Sequence, residues 1–77
     1  GGIRMNYLAQ NIRYLRMKAG LTQADIAEMV CASAGCVSNW ERGKNEPDLY
    51  TLIWFAKYYK RTLDELILTP LKEKTDG

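Results

Sequence analysis

The stretch from Thr22 to Gly43 limits the fold most, because it predicts two short helices joined by a tight turn. Thr22 is a favourable N-cap, and Asp25 stands three residues later, where the acid of a capping box belongs. Ser33 is the next N-cap candidate, and Gly43 marks the end of the second helix.

The apolar residues of this stretch are spaced as helical faces. Ile26, Ala27 and Val30 share one face of the first helix. Val37 and Trp40 stand three residues apart in the second. Only two residues remain for the connection, so the helices must cross at a steep angle. The small side chain of Ala27 is expected at the crossing, where it lets the backbones approach.

Length and composition limit the class of protein. The 77 residues allow one domain with a modest core. No apolar run approaches the roughly 20 residues that span a bilayer, and the start lacks the apolar segment of a secretory signal. We therefore expect a cytoplasmic protein with no membrane partner. A net charge of +2 permits nucleic-acid binding without requiring it.

The residue types predict no catalytic or metal chemistry. The chain has no histidine to act as a base near neutral pH, and its six glycines form no phosphate-binding loop. Cys31 and Cys36 cannot complete the four-ligand shell of zinc, so both are expected to be reduced thiols. The sequence therefore predicts no enzyme, no metal and no cofactor.

A first helix is predicted from Asn6 to Ala19, and Gly20 ends it. Its apolar stripe has helical spacing and consists of Leu8, Ile12, Leu15 and Ala19. Pro47 closes a loop after the third helix, and Asp48 can cap a fourth helix from Leu49 to about Tyr59.

The fourth helix has a predicted core stripe that consists of Leu49, Leu52, Ile53 and Ala56. Phe55 and Tyr59 are expected to be buried beside it. Thr62 and Glu65 form a capping box for a fifth helix that ends near Leu68. The expected fold is all-α. The predicted segments are an expression remnant or flexible arm over residues 1–5, the domain over residues 6–69 and a flexible tail over residues 70–77.

The run from Val37 to Lys44, Val-Ser-Asn-Trp-Glu-Arg-Gly-Lys, resembles the helix-turn-helix of the phage-repressor and Cro-type regulators. Thr22-Gln23 and Ile26-Ala27 stand at the matching places upstream. The resemblance covers residues 7 to 68 and includes five helical segments in the family's order. It implies a compact five-helix lambda-repressor-like DNA-binding domain, with the helix-turn-helix at helices two and three.

The resemblance also implies which residues contact double-stranded DNA. The base-facing positions are Ala34, Gly35, Ser38 and Asn39. The positions that face the DNA backbone are Thr22, Gln23, Ser33, Arg42, Lys44 and Asn45. In the family an arginine of helix one pairs with a glutamate near the end of the recognition helix, and these residues are Arg16 and Glu41 here.

This chain departs from the family's pattern at its base-facing positions. Ala34 and Gly35 stand where long polar side chains are usual, and neither offers a side-chain hydrogen bond. Direct base recognition would fall to Ser38 and Asn39, with Ala34 touching a thymine methyl. Either specificity is low and depends on DNA shape, or the module binds something else. Cys31 also stands where the family usually has glycine. Lys60 stands at a second position where the family often has glycine.

A second stripe on the fourth helix consists of Tyr50, Trp54 and Tyr58, which recur every four residues away from the core stripe. Contiguous exposed aromatic side chains mark many interaction surfaces, so a second protomer or a protein partner is one interpretation. Scattered partial exposure, with the tail folded over these rings, is the other.

We interpret the chain as a sequence-specific DNA-binding transcriptional regulator, a repressor, that acts as a homodimer. One recognition helix covers few base pairs, so two half-sites about one helical turn apart are expected. Leu63, Leu66 and Leu68 are the candidate dimer contacts. The alternative is a protein-interaction module of the same fold, such as an antitoxin or an adaptor, with reduced base recognition.

Overall fold

Five α-helices make up the fold in a computed structural model that describes residues 6–72. They are α1 (Leu8–Lys18), α2 (Gln23–Met29), α3 (Ala34–Glu41), α4 (Leu49–Tyr59) and α5 (Leu63–Leu68). Between residues 6 and 72 there is no strand, and no helix is long and apolar enough to cross a membrane. The all-α prediction is confirmed. The expectations for residues 1–5 and 73–77 lie outside the described residues.

Side chains at the helix starts explain where four helices begin. The Thr22 hydroxyl accepts the Asp25 N–H at 3.0 Å, and the Asp25 carboxylate accepts the Thr22 N–H at 2.9 Å. The start of α5 shows the same reciprocal exchange, with both bonds 3.0 Å long. Ser33 and Asp48 each accept one backbone N–H at the starts of α3 and α4. The bond from Thr51 lowers the pKa of Asp48.

The first four helices end in one common arrangement. A residue one or two positions beyond each helix end adopts the left-handed conformation, and the four residues are Gly20, Cys31, Gly43 and Lys60. The N–H of the next residue then bonds to a carbonyl five positions back, at 2.8–3.1 Å. Glycine accepts this conformation without strain, whereas Cys31 and Lys60, both at φ 58°, bear the steric cost of a Cβ. Cys31, which stands where the family usually has glycine, thus has a left-handed backbone.

The core takes apolar side chains from all five helices. Its buried members are Leu8, Ile12, Leu15, Ile26, Ala27, Val37, Phe55, Ala56 and Leu66. Trp40 of α3 meets Phe55 edge-on, with ring centroids 6.2 Å apart, and so joins α3 to α4.

Some sequence expectations about burial and helix bounds are wrong. Leu49 is 59% exposed, because the buried face of α4 is turned toward Phe55 and leaves Leu49 at its margin. Ala19 is exposed because it follows α1, where the chain begins to turn away. Helix α1 begins at Leu8, later than predicted, because the side-chain oxygen of Asn6 accepts the Leu8 N–H at 2.8 Å.

Asn11 is a buried polar residue that the sequence analysis did not single out. Its Nδ2 donates to the carbonyls of Leu66 and Thr69 at 2.7 and 2.8 Å. Its Oδ1 accepts the Leu71 N–H at 2.9 Å. Because α5 is followed by extended backbone at Thr69, this side chain from α1 satisfies carbonyls that the helix end leaves open. The backbone N–H of Leu71, a residue that we predicted to lie in the tail, is thereby hydrogen-bonded to α1.

Replacing Cys31 with glycine should raise the melting temperature, because a left-handed non-glycine residue costs roughly 1 kcal/mol. Lys60→Gly should also raise the melting temperature, because Lys60 has the same left-handed backbone at the end of α4. Gly20→Ala is the opposite control, since its φ of 77° would strain alanine. Thermal unfolding followed by circular dichroism measures all three variants. A lower melting temperature for Cys31→Gly would show that contacts of its side chain outweigh the strain.

Candidate nucleic-acid interface

Helices α2 and α3 form a helix-turn-helix with a short connection. Cys31 reverses the chain, and the Ala32 N–H bonds to a carbonyl of α2 at 2.8 Å. Ser33 then opens α3 in an extended conformation, with its hydroxyl accepting the Cys36 N–H at 3.1 Å. The first turn of α3 is consequently presented to solvent, where Ala34 and Gly35 are both exposed.

The residues that the resemblance implies for DNA contact are all at least partly accessible. The exposed ones are Thr22, Ser33, Ala34, Gly35, Arg42, Lys44 and Asn45, and the half-buried ones are Gln23, Ser38 and Asn39. They lie at the start of α2, on α3 and directly after α3. The surface that they form therefore has a helix face at its centre and cationic side chains after the helix.

Gly35 has no conformational reason to be glycine. Its φ lies outside the left-handed region, and an added Cβ would meet only the Ser33 Oγ, at an ordinary 3.7 Å. Glycine within a helix is roughly 0.5–1 kcal/mol less favourable than alanine. The fold therefore gives no reason for the bare backbone at the start of α3.

Asn39 supplies a side-chain amide at a position of α3 that the resemblance predicts to face the bases. Arg42 Nη2 donates to Asn39 Oδ1 at 3.3 Å. Among the residues that the structure describes, the Nδ2 of Asn39 has no hydrogen-bond acceptor. An amide with free donors and a further acceptor lone pair suits the edge of adenine. Asn39 thus keeps the hydrogen-bonding capacity that its predicted role requires.

A buried ion pair fixes α3 to α1. Arg16 Nε and Nη2 lie 2.7 and 3.1 Å from the two carboxylate oxygens of Glu41. The two side chains are only 13% and 3% exposed. The hydrogen bond from the guanidinium to Glu41 raises the pKa of Arg16, which favours the charged form of the arginine. The pair implied by the resemblance is present, and removing one partner would leave a buried charge without compensation.

Gln23 joins this pair, a connection that the sequence analysis missed. Its Nε2 donates at 3.0 Å to Glu41 Oε1, the oxygen that also accepts from Arg16 Nη2. Arg16 Nη1 in turn donates to the Leu21 carbonyl at 2.8 Å. The start of α2 is therefore bonded to the end of α3 through one carboxylate. No local pattern signals the contact, because Gln23 and Glu41 are 18 positions apart.

Tyr59 places a buried hydroxyl close enough to Arg16 and Glu41 to be affected by their charges. This hydroxyl has no hydrogen-bond partner within residues 6–72. Burial raises the pKa of Tyr59 to about 12, with a further contribution from Tyr58. Tyr59 was predicted to be buried, and the structure buries its hydroxyl while leaving the ring partly accessible.

The aromatic stripe of α4 divides into exposed and packed members. Tyr50 is 80% exposed and Tyr58 is 44% exposed. Trp54 instead packs against the core, because its indole reaches Phe55 edge-on with ring centroids 5.3 Å apart. It also stacks on Tyr58 at 4.6 Å. The helical wheel therefore placed Trp54 too far from the core.

The predicted dimer contacts of α5 require a similar correction. Leu66 is completely buried, because α5 packs against both α1 and α4 and Leu66 is its buried residue. Leu66 cannot contact a second copy while the domain stays folded. Leu63 is half-buried and Leu68 is exposed, so these two remain accessible.

Both cysteines are free and exposed. The hydrogen bond with the Ser33 side chain lowers the pKa of Cys36. Within the described range, no group of three or more His, Cys, Asp or Glu side chains could hold a metal ion.

A five-helix domain with an exposed helix-turn-helix and a buried arginine–glutamate pair defines a class of DNA-binding protein. The family model described as helix-turn-helix matches residues 12–66. The chain therefore belongs to the helix-turn-helix family of DNA-binding transcriptional regulators.

Two curated relatives share this domain. The HTH-type transcriptional activator BcrR of Enterococcus faecalis is 34% identical over 58 residues, which are 75% of this chain and 28% of BcrR. The HTH-type transcriptional regulator ImmR of Bacillus subtilis (strain 168) is 33% identical over 60 residues, which are 78% of this chain and 47% of ImmR. The chain thus spans less than half the length of either relative.

Two solved structures share the fold. A transcriptional regulator from Listeria innocua has a TM-score of 0.80 and 28% identity, and the match covers 97% of this chain and 68% of that one. The P22 c2 repressor, in complex with a synthetic operator, has a TM-score of 0.73 and 29% identity, with 88% and 98% covered. The predicted repressor-like fold is confirmed.

Tyr59→Phe should raise the free energy of unfolding at pH 7 by about 1 kcal/mol, because it removes a buried hydroxyl that lacks a partner. In the wild type, stability should fall between pH 10 and about 12, because unfolded tyrosine ionises before the folded residue does. The variant should lose that part of the pH dependence. Urea unfolding of the wild type and the variant at pH 10 and at about pH 12 measures this loss of stability. Tyr58→Phe is the control, because Tyr58 is exposed. A less stable variant at pH 7 would show that the hydroxyl is bonded to ordered water.

Gly35→Ala should stabilise the fold by roughly 0.5–1 kcal/mol, since the added Cβ fits and alanine favours the helix. The same variant should bind duplex DNA more weakly if the absence of a side chain at Gly35 allows the DNA to approach the helix backbone. Thermal unfolding and fluorescence anisotropy measure the two effects, which have opposite signs. Equal or tighter binding by Gly35→Ala would contradict a role for this glycine in DNA contact.

Proposed function

We propose that the chain binds double-stranded DNA sequence-specifically as a homodimeric transcriptional repressor. The observation that carries the proposal is the exposed face of α3, with Asn39 half-buried on it and Arg42 and Lys44 exposed after it. An α-helix fits the major groove, and cations beside it can contact phosphates. The similarity to a repressor solved with a synthetic operator supports the same reading.

Base recognition by this chain would be sparse. Ser38 and Asn39 provide hydrogen bonds, and Ala34 provides an apolar contact for a thymine methyl. Gly35 has no side chain and provides neither kind of contact. Direct contacts are therefore few, and part of the specificity would come from the shape and deformability of the DNA. The exposed side chains of Arg42, Lys44 and Asn45 would fix the register of α3 by contacting the backbone.

Dimer formation would extend the recognised sequence to two half-sites about one helical turn apart. Of the three leucines predicted as dimer contacts on α5, Leu63 and Leu68 are accessible, and they would form the first contact between two copies. Repression is supported by the similarity to the P22 c2 repressor, while BcrR, described as an activator, shows that relatives differ in the sign of regulation. A transcriptional regulator of this kind would act beside the DNA, which in the bacteria of the two relatives lies in the cytoplasm, and the proposed role needs no catalytic residue.

Binding-site selection from a pool of random duplexes tests the proposal. Enrichment of a palindrome whose half-sites lie about one turn apart is expected, because a symmetric dimer presents two recognition helices. Selection of a single short site would contradict the homodimer. A pool that shows no enrichment would contradict sequence-specific binding and favour the alternative below.

Asn39→Ala and Lys44→Ala should weaken binding in different ways. Asn39→Ala should cost roughly 1–3 kcal/mol on the selected site and relax one base position. Lys44→Ala should weaken binding to all duplexes and reduce the salt slope by about one. Anisotropy titrations over a range of salt measure both. An unchanged base preference for Asn39→Ala would remove it from the set of base contacts.

A protein-interaction module is the second candidate, favoured by the exposure of Tyr50 and Tyr58 on α4. Such rings can anchor a partner, as in an antitoxin or an adaptor. Trp54 adds a partly buried ring stacked on Tyr58. Tyr50 is not among the residues predicted to contact DNA, so Tyr50→Ala should leave duplex affinity unchanged if DNA is the ligand of α3.

A further inference from the structure

The carboxylate of Glu41 accepts hydrogen bonds from two other segments at a single oxygen. Its Oε1 lies 3.1 Å from Arg16 Nη2 and 3.0 Å from Gln23 Nε2. We infer that Glu41 is a positioning residue for DNA binding: it holds the Gln23 carboxamide so that the second N–H of Nε2 is available to a DNA phosphate. The inference rests on the proposed DNA-binding function and assigns Glu41 a role beyond the ion pair.

The chemistry of the two groups sets the orientation of the carboxamide. A carboxylate only accepts hydrogen bonds, so the Nε2 end of Gln23, and not its Oε1, must face Glu41. Only one of the two N–H groups is used there, and within residues 6–72 the other has no acceptor. Gln23 is half-buried as a residue, so part of it is accessible to solvent. Without the bond to Glu41, rotation of the carboxamide would allow its Oε1 to face outward, and this oxygen cannot donate to a phosphate.

Arg16 makes the arrangement compatible with a nearby phosphate. An unpaired carboxylate would repel the DNA backbone, but Glu41 is paired through both oxygens and is 3% exposed. Arg16 also donates to the Leu21 carbonyl, which holds the guanidinium in place beside the chain that leads into α2. The negative charge is therefore neutralised while its acceptor oxygen still orients Gln23.

Gln23 differs from the cationic residues after α3 in a measurable way. Lys44 would release a counterion when it contacts a phosphate, whereas the neutral Gln23 would release none. A hydrogen bond to a phosphate therefore changes affinity without changing the salt slope. This difference separates a Gln23 contact from the general electrostatic attraction of the domain.

A double-mutant cycle tests the inference on a random-sequence duplex, measured by fluorescence anisotropy over a range of salt. The variants are Gln23→Ala, Glu41→Asp and their combination. Glu41→Asp keeps the charge beside Arg16 but withdraws the carboxylate by one methylene. Gln23→Ala should bind roughly tenfold more weakly with an unchanged salt slope, as expected for a hydrogen bond to a charged group. Glu41→Asp should weaken binding severalfold, and the combination should match Gln23→Ala alone.

Lys44→Ala is the matched control, because among residues 6–72 Lys44 has no hydrogen bond or ion pair with Glu41, and its effect should combine additively with that of Glu41→Asp. Additive effects of Gln23→Ala and Glu41→Asp would show that Glu41 acts on the fold alone and would overturn the inference. Full affinity of Gln23→Ala would overturn it as well. Wild-type protein that binds no duplex even at low salt would overturn the proposed function itself.

A second measurement uses wild-type protein and so does not depend on how Glu41→Asp folds. The two protons on Gln23 Nε2 give separate NMR signals when one is bonded to Glu41. Adding the duplex should shift the signal of the proton that is not bonded to Glu41 more than the signal of the bonded proton. Equal shifts, or none, would overturn the inference.

Discussion

The orientation of the helix-turn-helix depends on the buried pair between Arg16 and Glu41. Apolar burial is non-directional, so a small core alone would allow α3 to rotate or slide against α1. A bidentate guanidinium–carboxylate pair has a defined geometry and restricts both movements. Removing two charges from water is unfavourable by several kcal/mol, and the bonds to Leu21 and Gln23 help to offset that penalty. One pair thereby connects α1 with both helices of the helix-turn-helix.

The left-handed residues that follow the first four helices give the domain its short connections. In each of the first four helices, one left-handed residue turns the chain and one backbone bond satisfies a terminal carbonyl. Gly20 and Gly43 suit the conformation, while Cys31 and Lys60 adopt it against their local preference. The turn of the helix-turn-helix is therefore maintained by packing and by the bond from Ala32, and not by the residue at its centre.

Local chemistry in the sequence predicted the helices well, because caps and turn residues act within a few positions. The starts at Thr22 and Thr62 needed only the residues three places later. Helical periodicity alone does not say which neighbour covers a face, and so Leu49 and Leu66 were placed on the wrong sides. The family resemblance supplied the pairing of Arg16 with Glu41, which no local pattern contains. The contact of Gln23 with Glu41 required the assembled fold, since it joins distant parts of the chain.

The buried Asn11 has a consequence for the order in which the chain can fold during synthesis. Asn11 is made early, but its partners at Leu66, Thr69 and Leu71 lie 55, 58 and 60 positions later. Until those residues emerge from the ribosome, the amide must stay hydrated, which keeps α1 from closing over the core. The carbonyl of Ile67, which accepts the Tyr7 N–H at 2.8 Å, imposes the same delay. The bonds that join α1 to the end of the described chain can therefore form only after α5 has been synthesised.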